Sequence, residues 1–501
     1  MLRRLALLLF ALAASSPVFC QRIIEYEAEI GSRDPHDPDV WILSRNVKAT
    51  HEGMELYSDS ALLDIVNNNF TAYDNVKIVL SDTTFIYGDN LFYDAETRIV
   101  DIYSDTVVFI DGSTVLKSPH LSFDRNAAVA SYNTWGRTTN ADQQLESRMG
   151  YYNTTTKELE IYRKVVLSDS SSRLHTDTLY YNTQSHIASF VSPTFIYSDS
   201  TVIYSEEGTY NTETRYSVST QASRISTGVR ILTCDTLHYD GIQQEGTAYG
   251  DVVIVDTVKQ ITCTGRIGVT SQTRNFSYVT DSALVSMISD DDTLYMHADT
   301  VFAYNDTSNS FTSLQAYYHT KVFRKDIQGM CDSAYYDVAD SLMTLFGTPV
   351  VWYENYQCTS DTISMKHDTS GIRYIEFHLN PFVVELVDPE KFNQMKGRRG
   401  MMYFVDGEPS YADVLGNAQM IYYITEEDSA GNLSLTGVNA GLSSNMRLYF
   451  LRRKLHRLVA YIDPDMHTYP LNLLPDEQKR LQGFRWLDTR RPHSRSDVFV
   501  W

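Results

Sequence analysis

Carboxylates recur along this 501-residue chain at a nearly fixed interval. The clause CDTLHYD, residues 234–240, returns as TDTLYYN ending at Asn182, GDNLFYD ending at Asp94 and CDSAYYD ending at Asp337. Aligned on its opening residue, usually Asp, it falls at 59, 89, 119, 148, 177, 206, 235, 265, 299, 332 and 361, in steps of 29 to 34. Paired carboxylates beside a cleft could do acid and base work on a glycan. Here they are spread one per repeat and no cluster interrupts the pattern, so turn chemistry, with each side chain bonding nearby backbone at a strand entry, is the expected role. The other chemistry-bearing residues are four cysteines beyond the leader, Cys234, Cys263, Cys331 and Cys358, with no CxxC pair or His cluster to make a zinc site. No catalytic triad, Gly-rich phosphate loop or GGxGxD calcium repeat is recognisable, and no cofactor is called for.

The elements that carry these residues follow from the same repeat. Two and four positions after each opening residue the side chain is usually apolar, as in Leu91 and Tyr93, Leu121 and Phe123, Leu179 and Tyr181, Leu237 and Tyr239, and Ala334 and Tyr336. Polar residues alternate with them, which is the signature of a strand with one buried face. Between clauses lies a second strand, AYDNVKIVL, IYSDTVVFI, IYRKVVL, AYGDVVIV or LFGTPVVWY. Each period is therefore a pair of strands. One hairpin cannot bury its apolar face, whereas stacked copies share a continuous core. The fold expected is all-β: an elongated jelly-roll or solenoid-like stack of antiparallel strand pairs with repeats of about 29 residues. The 35 Tyr and 21 Phe agree with it.

Residues 1–20, MLRRLALLLFALAASSPVFC, have the basic start and short apolar run of a secretory signal peptide. Acylation of Cys20 fits poorly with Pro17, Val18 and Phe19 before it. No later segment is long and apolar enough for a transmembrane helix. Residues 21–385 form the repeat region. Residues 386–470 are expected to be a C-terminal β region, with a short helix at 388–397 because Asp388, Pro389 and Gly400 resemble helix start and stop signals. Residues 471–501 are expected to be an irregular tail with a helical turn at 475–482.

The net charge is −21. Residues 391–501 hold 15 basic and 12 acidic residues, leaving −24 for the rest. So acidic a body excludes nucleic acid as a natural partner. Arg398, Arg399, Arg452, Arg453, Lys454, Arg490 and Arg491 are the places for anion contacts or are ordinary surface charge. Export makes disulfides possible. In an antiparallel stack, however, Cys234 and Cys263 lie two strand spacings apart, beyond bonding reach, and the same holds for Cys331 and Cys358.

The D-[ST]-x-x-Y clauses alternating with G-[DNT]-[VP]-V strands resemble the organic-solvent-tolerance and LptA-type proteins of lipopolysaccharide transport. FNQMKGRRGMMYF, GNAQMIYYI, GVNAGLSSNMRLYF and GFRWLDTRRPHSRSDVF in the tail are similar to OstA-like proteins with long repeat regions. That resemblance implies a jelly-roll with an open apolar interior, residence in the periplasm, and lipopolysaccharide or a related glycolipid as the ligand. Leu91, Tyr93, Leu121, Phe123, Leu179, Tyr181, Leu237, Tyr239 and Tyr336 would then line an apolar groove. Other jelly-roll components would join end to end by strand addition, with the N-terminal rung near 42–56 the open end. The alternatives are a carbohydrate-active β-helix, an outer-membrane barrel, and a non-catalytic envelope scaffold.

Overall fold

A computed structural model describes residues 23–198, 201–288, 292–308, 310–368, 371–427, 433–471, 473–476 and 479–501. The expected signal peptide and Cys20 lie outside the described residues. The fold is all-β, 71% strand, with antiparallel pairing. The chain divides into two compact units, Met1–Ile196 and Tyr197–Trp501.

The repeat has three structural marks. The first is the turn at the end of each clause. Asp94 Oδ1 accepts the backbone N–H groups of Glu96 and Thr97 at 2.8 and 3.2 Å. Asp64, Asp124, Asn153, Asn182, Asn211 and Asp240 do the same for the residues two and three beyond them. These are Asx turns, which is why Asp and Asn interchange at this position.

The second mark is a bulge in the middle of the strands. In the pairing of Met54–Asp64 with Asn69–Val79, register slips between Tyr57↔Lys77 and Ser60↔Tyr73. The extra residue is absorbed by Asp74 and Asn75, both left-handed, at φ 63° and 50°. Equivalent left-handed pairs are Arg163 and Lys164, Asp281 and Ser282, and Tyr318 and His319. A bulge bends the strand, making a corner. Buried positions follow the bend: Met54, Leu56 and Ser58 on one side, then Ala61 and Leu63 after a step of three, so one face stays inward through the corner.

The third mark is the opening Asp, and here the structure corrects the sequence. It stands at the corner, not at a strand entry, and bonds the next strand rather than local backbone. Asp59 Oδ2 accepts from Asn75 Nδ2 at 2.6 Å, Asp89 Oδ2 from Ser104 Oγ at 2.6 Å, and Asp361 Oδ2 from Asn380 Nδ2 at 3.0 Å. At Gly250 and Gly347 a Cβ would come within 2.2 Å of Asp235 Oδ2 and 2.4 Å of Asp332 Cβ. Glycine there makes room for the corner Asp and tolerates φ of +71° and +75°.

Immediately before each corner stands a small residue turned inward. Ser58, Ser118, Ser147 and Ser205 each donate a hydroxyl to the carbonyl two residues on, at 2.8 to 3.1 Å. Cys234 takes the same place, its Sγ 3.3 Å from the Thr236 carbonyl oxygen. All four cysteines are free. The strand Glu245–Asp256 lies between Cys234 and Cys263, and Val350–Tyr353 lies between Cys331 and Cys358.

In the first unit the inner face is packed solid by Leu43, Leu56, Phe70, Ile78, Ile86, Ile102 and Phe109, all at or below 1% exposure. Burying each such side chain contributes about 1.5–3 kcal/mol. The two ends of the strands also meet. Glu52, in the turn starting one strand, pairs with Arg98 at 2.8 Å and, through its carbonyl, accepts from Arg125 at 3.1 Å; both arginines sit in turns at the opposite strand ends. Asp111 likewise accepts from Tyr152 OH at 2.7 Å and pairs with Lys157. A polar lace thus closes this roll over its apolar filling. Short strands Glu25–Glu27 and Ile30–Arg33 pair with the two halves of Val40–His51. The outermost rung is therefore these exposed strands and not the 42–56 segment expected from the sequence.

In the second unit the same hairpins run on to Asp465–Pro470. The expected helix at 388–397 is absent: Phe382–Asp388 and Lys391–Lys396 are paired strands. Asp388 Oδ1 accepts from Glu390 N and Lys391 N, both at 3.0 Å, so Asp-Pro makes a tight turn. A type I turn and the first turn of a helix favour the same residues, which is why the two were indistinguishable. The described residues of 475–482 form no α-helix, though Asp476 lies in a 3-10 turn; further along the tail, Asp488–Arg490 and Arg495–Phe499 are 3-10 turns. No described helix is long and apolar enough to cross a membrane.

The tail itself is ordered by a ladder of buried glutamines. Gln357 Nε2 donates to the Arg485 carbonyl at 2.8 Å while its Oε1 accepts from Leu487 N at 2.6 Å. Gln394 treats Lys479 O and Leu481 N the same way, at 2.9 and 2.8 Å, and Gln328 Oε1 accepts from Arg491 Nε at 2.8 Å. Leu487 packs against Met330, Val350 and Trp352 on the outward side of the sheet. The outer face of these rungs is therefore covered by the tail.

Candidate functional site

The inner face of the second unit leaves a gap. Inward residues of successive strands, among them Ile327, Val351, Ile375, Met395, Met402 and Met420, surround an apolar cavity of about 140 Å³. Alternation dictates which residues reach it: Val351 and Tyr353 face the cavity, while Val350 and Trp352 lie under the tail. Four methionines between 395 and 420 contribute to the wall, and unbranched thioethers repack at low cost around guests of different shape. Arg453, also on the cavity wall, meets Glu354 at 2.9 Å and Glu408 at 3.6 Å. These groups are exposed, unlike Asp111 of the first unit, which is buried beside a half-buried Lys157.

A polar group stands at one edge. Glu385 accepts from Asn355 and Asn393, at 3.2 and 2.8 Å. Burial, reinforced by the Glu385 charge, pushes the Tyr356 phenol well above its ordinary range, so it stays a neutral hydroxyl. Burial also pushes the Cys358 thiol on the cavity wall up to about 12. It is therefore a packing group and not a nucleophile. Among the described residues no group of His, Cys, Asp and Glu is placed to hold a metal ion.

The nine residues expected to line a groove all occupy the inner face. Leu91, Tyr93, Leu121, Phe123, Leu179, Tyr181, Leu237 and Tyr239 are buried to 5% exposure or less, and Tyr336 is half-buried and stacked on His367 at 5.5 Å. Register joins them in rows: Leu91 lies beside Ile102, which lies beside Leu121, and Val100 links Tyr93 to Phe123. None of the nine borders the 140 Å³ cavity. Tyr93 and Tyr181 instead reach into the polar lace, Tyr93 OH meeting His51 Nδ1 at 2.7 Å and Arg125 Nη1 at 2.9 Å, and Tyr181 OH meeting Gln143. The cavity residues were missed because they lie where the repeat is least regular. The signal available was the run of methionines in FNQMKGRRGMMYF and GNAQMIYYI.

The OstA-like protein family matches residues 21–177 and 158–229. Over that stretch the chain is similar to OstA-like proteins. Among solved structures it is similar to LptH from Pseudomonas aeruginosa, described as the LptA-homologous periplasmic component of the lipopolysaccharide transport device. The match has 11% identity, covers 34% of this chain and 81% of LptH, and has a TM-score of 0.11. No curated protein sequence matches the chain. The matched OstA-like region contains Leu91, Tyr93, Leu121, Phe123, Leu179 and Tyr181, while the open cavity falls outside it.

Proposed function

We propose that this OstA-like protein is a periplasmic carrier of lipopolysaccharide or a related glycolipid, holding acyl chains against its inward face on the way to the outer membrane. The observation that carries this reading is the apolar, methionine-rich cavity at Ile327, Val351, Met395 and Met420 in a chain whose net charge is −21. An apolar cavity of about 150 Å³ stays dry and accepts a benzene-sized guest. The site at rest therefore takes a short stretch of one acyl chain, and the methionines must move aside to admit more. Each CH₂ transferred from water contributes about 0.8 kcal/mol, which offsets that rearrangement.

In this reading the inward residues of each unit, Leu91, Tyr93, Leu121, Phe123, Leu179 and Tyr181 in the first and Leu237, Tyr239 and Tyr336 in the second, offer further acyl contacts, and the polar lace must part for lipid to reach those of the first. The exposed strands Glu25–Glu27 and Ile30–Arg33 at one terminus, and Lys454–Tyr461 and Asp465–Pro470 at the other, offer backbone edges for like-folded partners.

Photo-crosslinking tests the carrier role. A crosslinking side chain at inward Val351 should give lipid adducts in cells, and one at neighbouring Val350, under the tail, should not. Leu179 and Thr178 make the corresponding pair for the extended path. Equal yields within both pairs, or none anywhere, would refute an inward lipid site.

A further inference from the structure

Beside the row of corners in the second unit, between the sheet's outer surface and the C-terminal tail, lies a polar cleft of about 970 Å³. Four cations line it: Lys396, Arg398, Arg485 and Arg490. Two carboxylates also stand at its wall, Asp361 accepting from Asn380 at 3.0 Å and Asp332 from Ser333 Oγ at 2.8 Å, so cations outnumber them four to two. Arg398 and Arg485 make no ion pair among the described residues, in a protein whose net charge is −21.

These cations are held in place by groups that do not neutralise them. The Arg398 side chain lies over Gly416, where an added Cβ would be 3.0 Å from Arg398 Cβ, and the backbone N–H of Arg398 donates to the Gly416 carbonyl at 2.9 Å. Gln357 fixes the backbone of Arg485, and Lys321 Nζ fixes that of Arg490 at 3.1 Å. Lys396 Nζ spends one donor on the Gln482 carbonyl at 2.9 Å and has two left. Of the basic positions in the C-terminal region, the structure singles these out: Arg453 is paired with Glu354 and Glu408, and Arg491 is tied to Gln328 and the Glu354 carbonyl.

We infer that the cleft is a binding site for a phosphate-bearing saccharide. Three guanidiniums and one ammonium match phosphate oxygens. A cleft of this size far exceeds one inorganic phosphate. The rest of its lining includes Asn380, Asn417, Gln419 and Gln482, whose amide groups suit sugar hydroxyls, while the Trp501 ring holds the Arg490 guanidinium over its face at 5.4 Å. The cleft lies on the opposite side of the sheet from the acyl cavity, so the inference stands without the lipid reading and its probe carries no acyl chain.

Calorimetric titration of the full mature chain with glucose 1,6-bisphosphate tests it, with glucose and inorganic phosphate as separate titrants. Binding of the bisphosphate is expected, weakening with added salt. Arg398→Ala with Arg485→Ala should weaken it by about tenfold or more, Arg398→Lys with Arg485→Lys should retain much of it, and Arg399→Ala should leave it unchanged. Competition by vesicles bearing a phosphorylated glycolipid would assign the saccharide to a lipid head; failure to compete would assign it to a free sugar. Absence of binding, equal binding of glucose, equally tight inorganic phosphate, or an unaffected double alanine variant would each overturn the inference.

Discussion

Asp59 and Asn75, sixteen residues apart, share a hydrogen bond of 2.6 Å between the corners of two adjacent strands. Asn75 is left-handed, at φ 50°. Left-handed backbone costs a non-glycine residue roughly 1–2 kcal/mol. A charge-assisted bond from the preceding strand offsets part of that cost, so each corner is secured by the strand before it.

Glycine at a corner should be far less replaceable than glycine at an open turn. Gly347→Ala drives a Cβ to within 2.4 Å of Asp332, whereas Gly112→Ala meets nothing within 4 Å. Both suffer the positive φ, expected to cost about 1 kcal/mol. Gly347→Ala should lose about 2–3 kcal/mol in all, read from the denaturation midpoint at unchanged slope.

The cysteines should separate by position. Cys234 and Cys331 occupy the corner place filled elsewhere by Ser58, Ser118 and Ser205, so Cys234→Ser and Cys331→Ser should change stability by less than about 1 kcal/mol. Cys263 packs among apolar neighbours opposite Ile254, and Cys263→Ser should cost about 1–3 kcal/mol. Burial pushes the thiols of Cys234, Cys263 and Cys331 up to about 12. All three should resist a thiol reagent at pH 8 until denaturant is added.

The Asx turns give a signed pH dependence. Backbone N–H groups, from Asn67 for Asp64 and from Asp340 for Asp337, hold both carboxyls below the usual Asp range. A folded value below the unfolded one means that this stabilisation is complete above about pH 4 and is lost as pH falls through the lower, folded value. Asp64→Asn with Asp337→Asn keeps the turn acceptor, as Asn153 and Asn182 do. The double variant should be slightly less stable than the parent at pH 7 and lose less of its stability on acidification, measured by urea denaturation at both pH values.

Removing one glutamine of the ladder should free the tail without unfolding the sheet. Gln357→Ala strips partners from the Arg485 carbonyl and the Leu487 N–H. Each group so stranded costs about 1–3 kcal/mol while the tail stays docked, and undocking relieves it. Trypsin should then cut at Arg485 and Arg490 well before it cuts the strands. Equal protection in variant and parent would show that the ladder is not what holds the tail.

Strand and face were legible in the sequence because a period of two leaves little choice: Leu91 and Tyr93 had to share a side, and they do. The placing of Asp59 and its successors was not, since the bulges they secure can be built from Arg163 and Lys164 or from Tyr318 and His319, none of which marks a corner by type. Asp388 and Pro389 suit a tight turn as well as a helix start, and only the pairing of Phe382–Asp388 with Lys391–Lys396 decides between them. Gln328, Gln357 and Gln394 read as ordinary outward polar residues, because nothing near them in sequence reveals the tail that buries them. The expected groove residues lie on the inner face, yet the open space is formed by Val351, Met395 and Met420, where irregular spacing hid the pattern.

Backbone pairing throughout links strands close in the chain, each hairpin to the next. Such a chain has a length that can be edited: adding or deleting one unit of about 29 residues would move no other unit's partners. Duplication of a gene segment could therefore have set the number of strand pairs in a molecule of this kind, with the Asp of each inserted copy ready to brace whatever strand follows it.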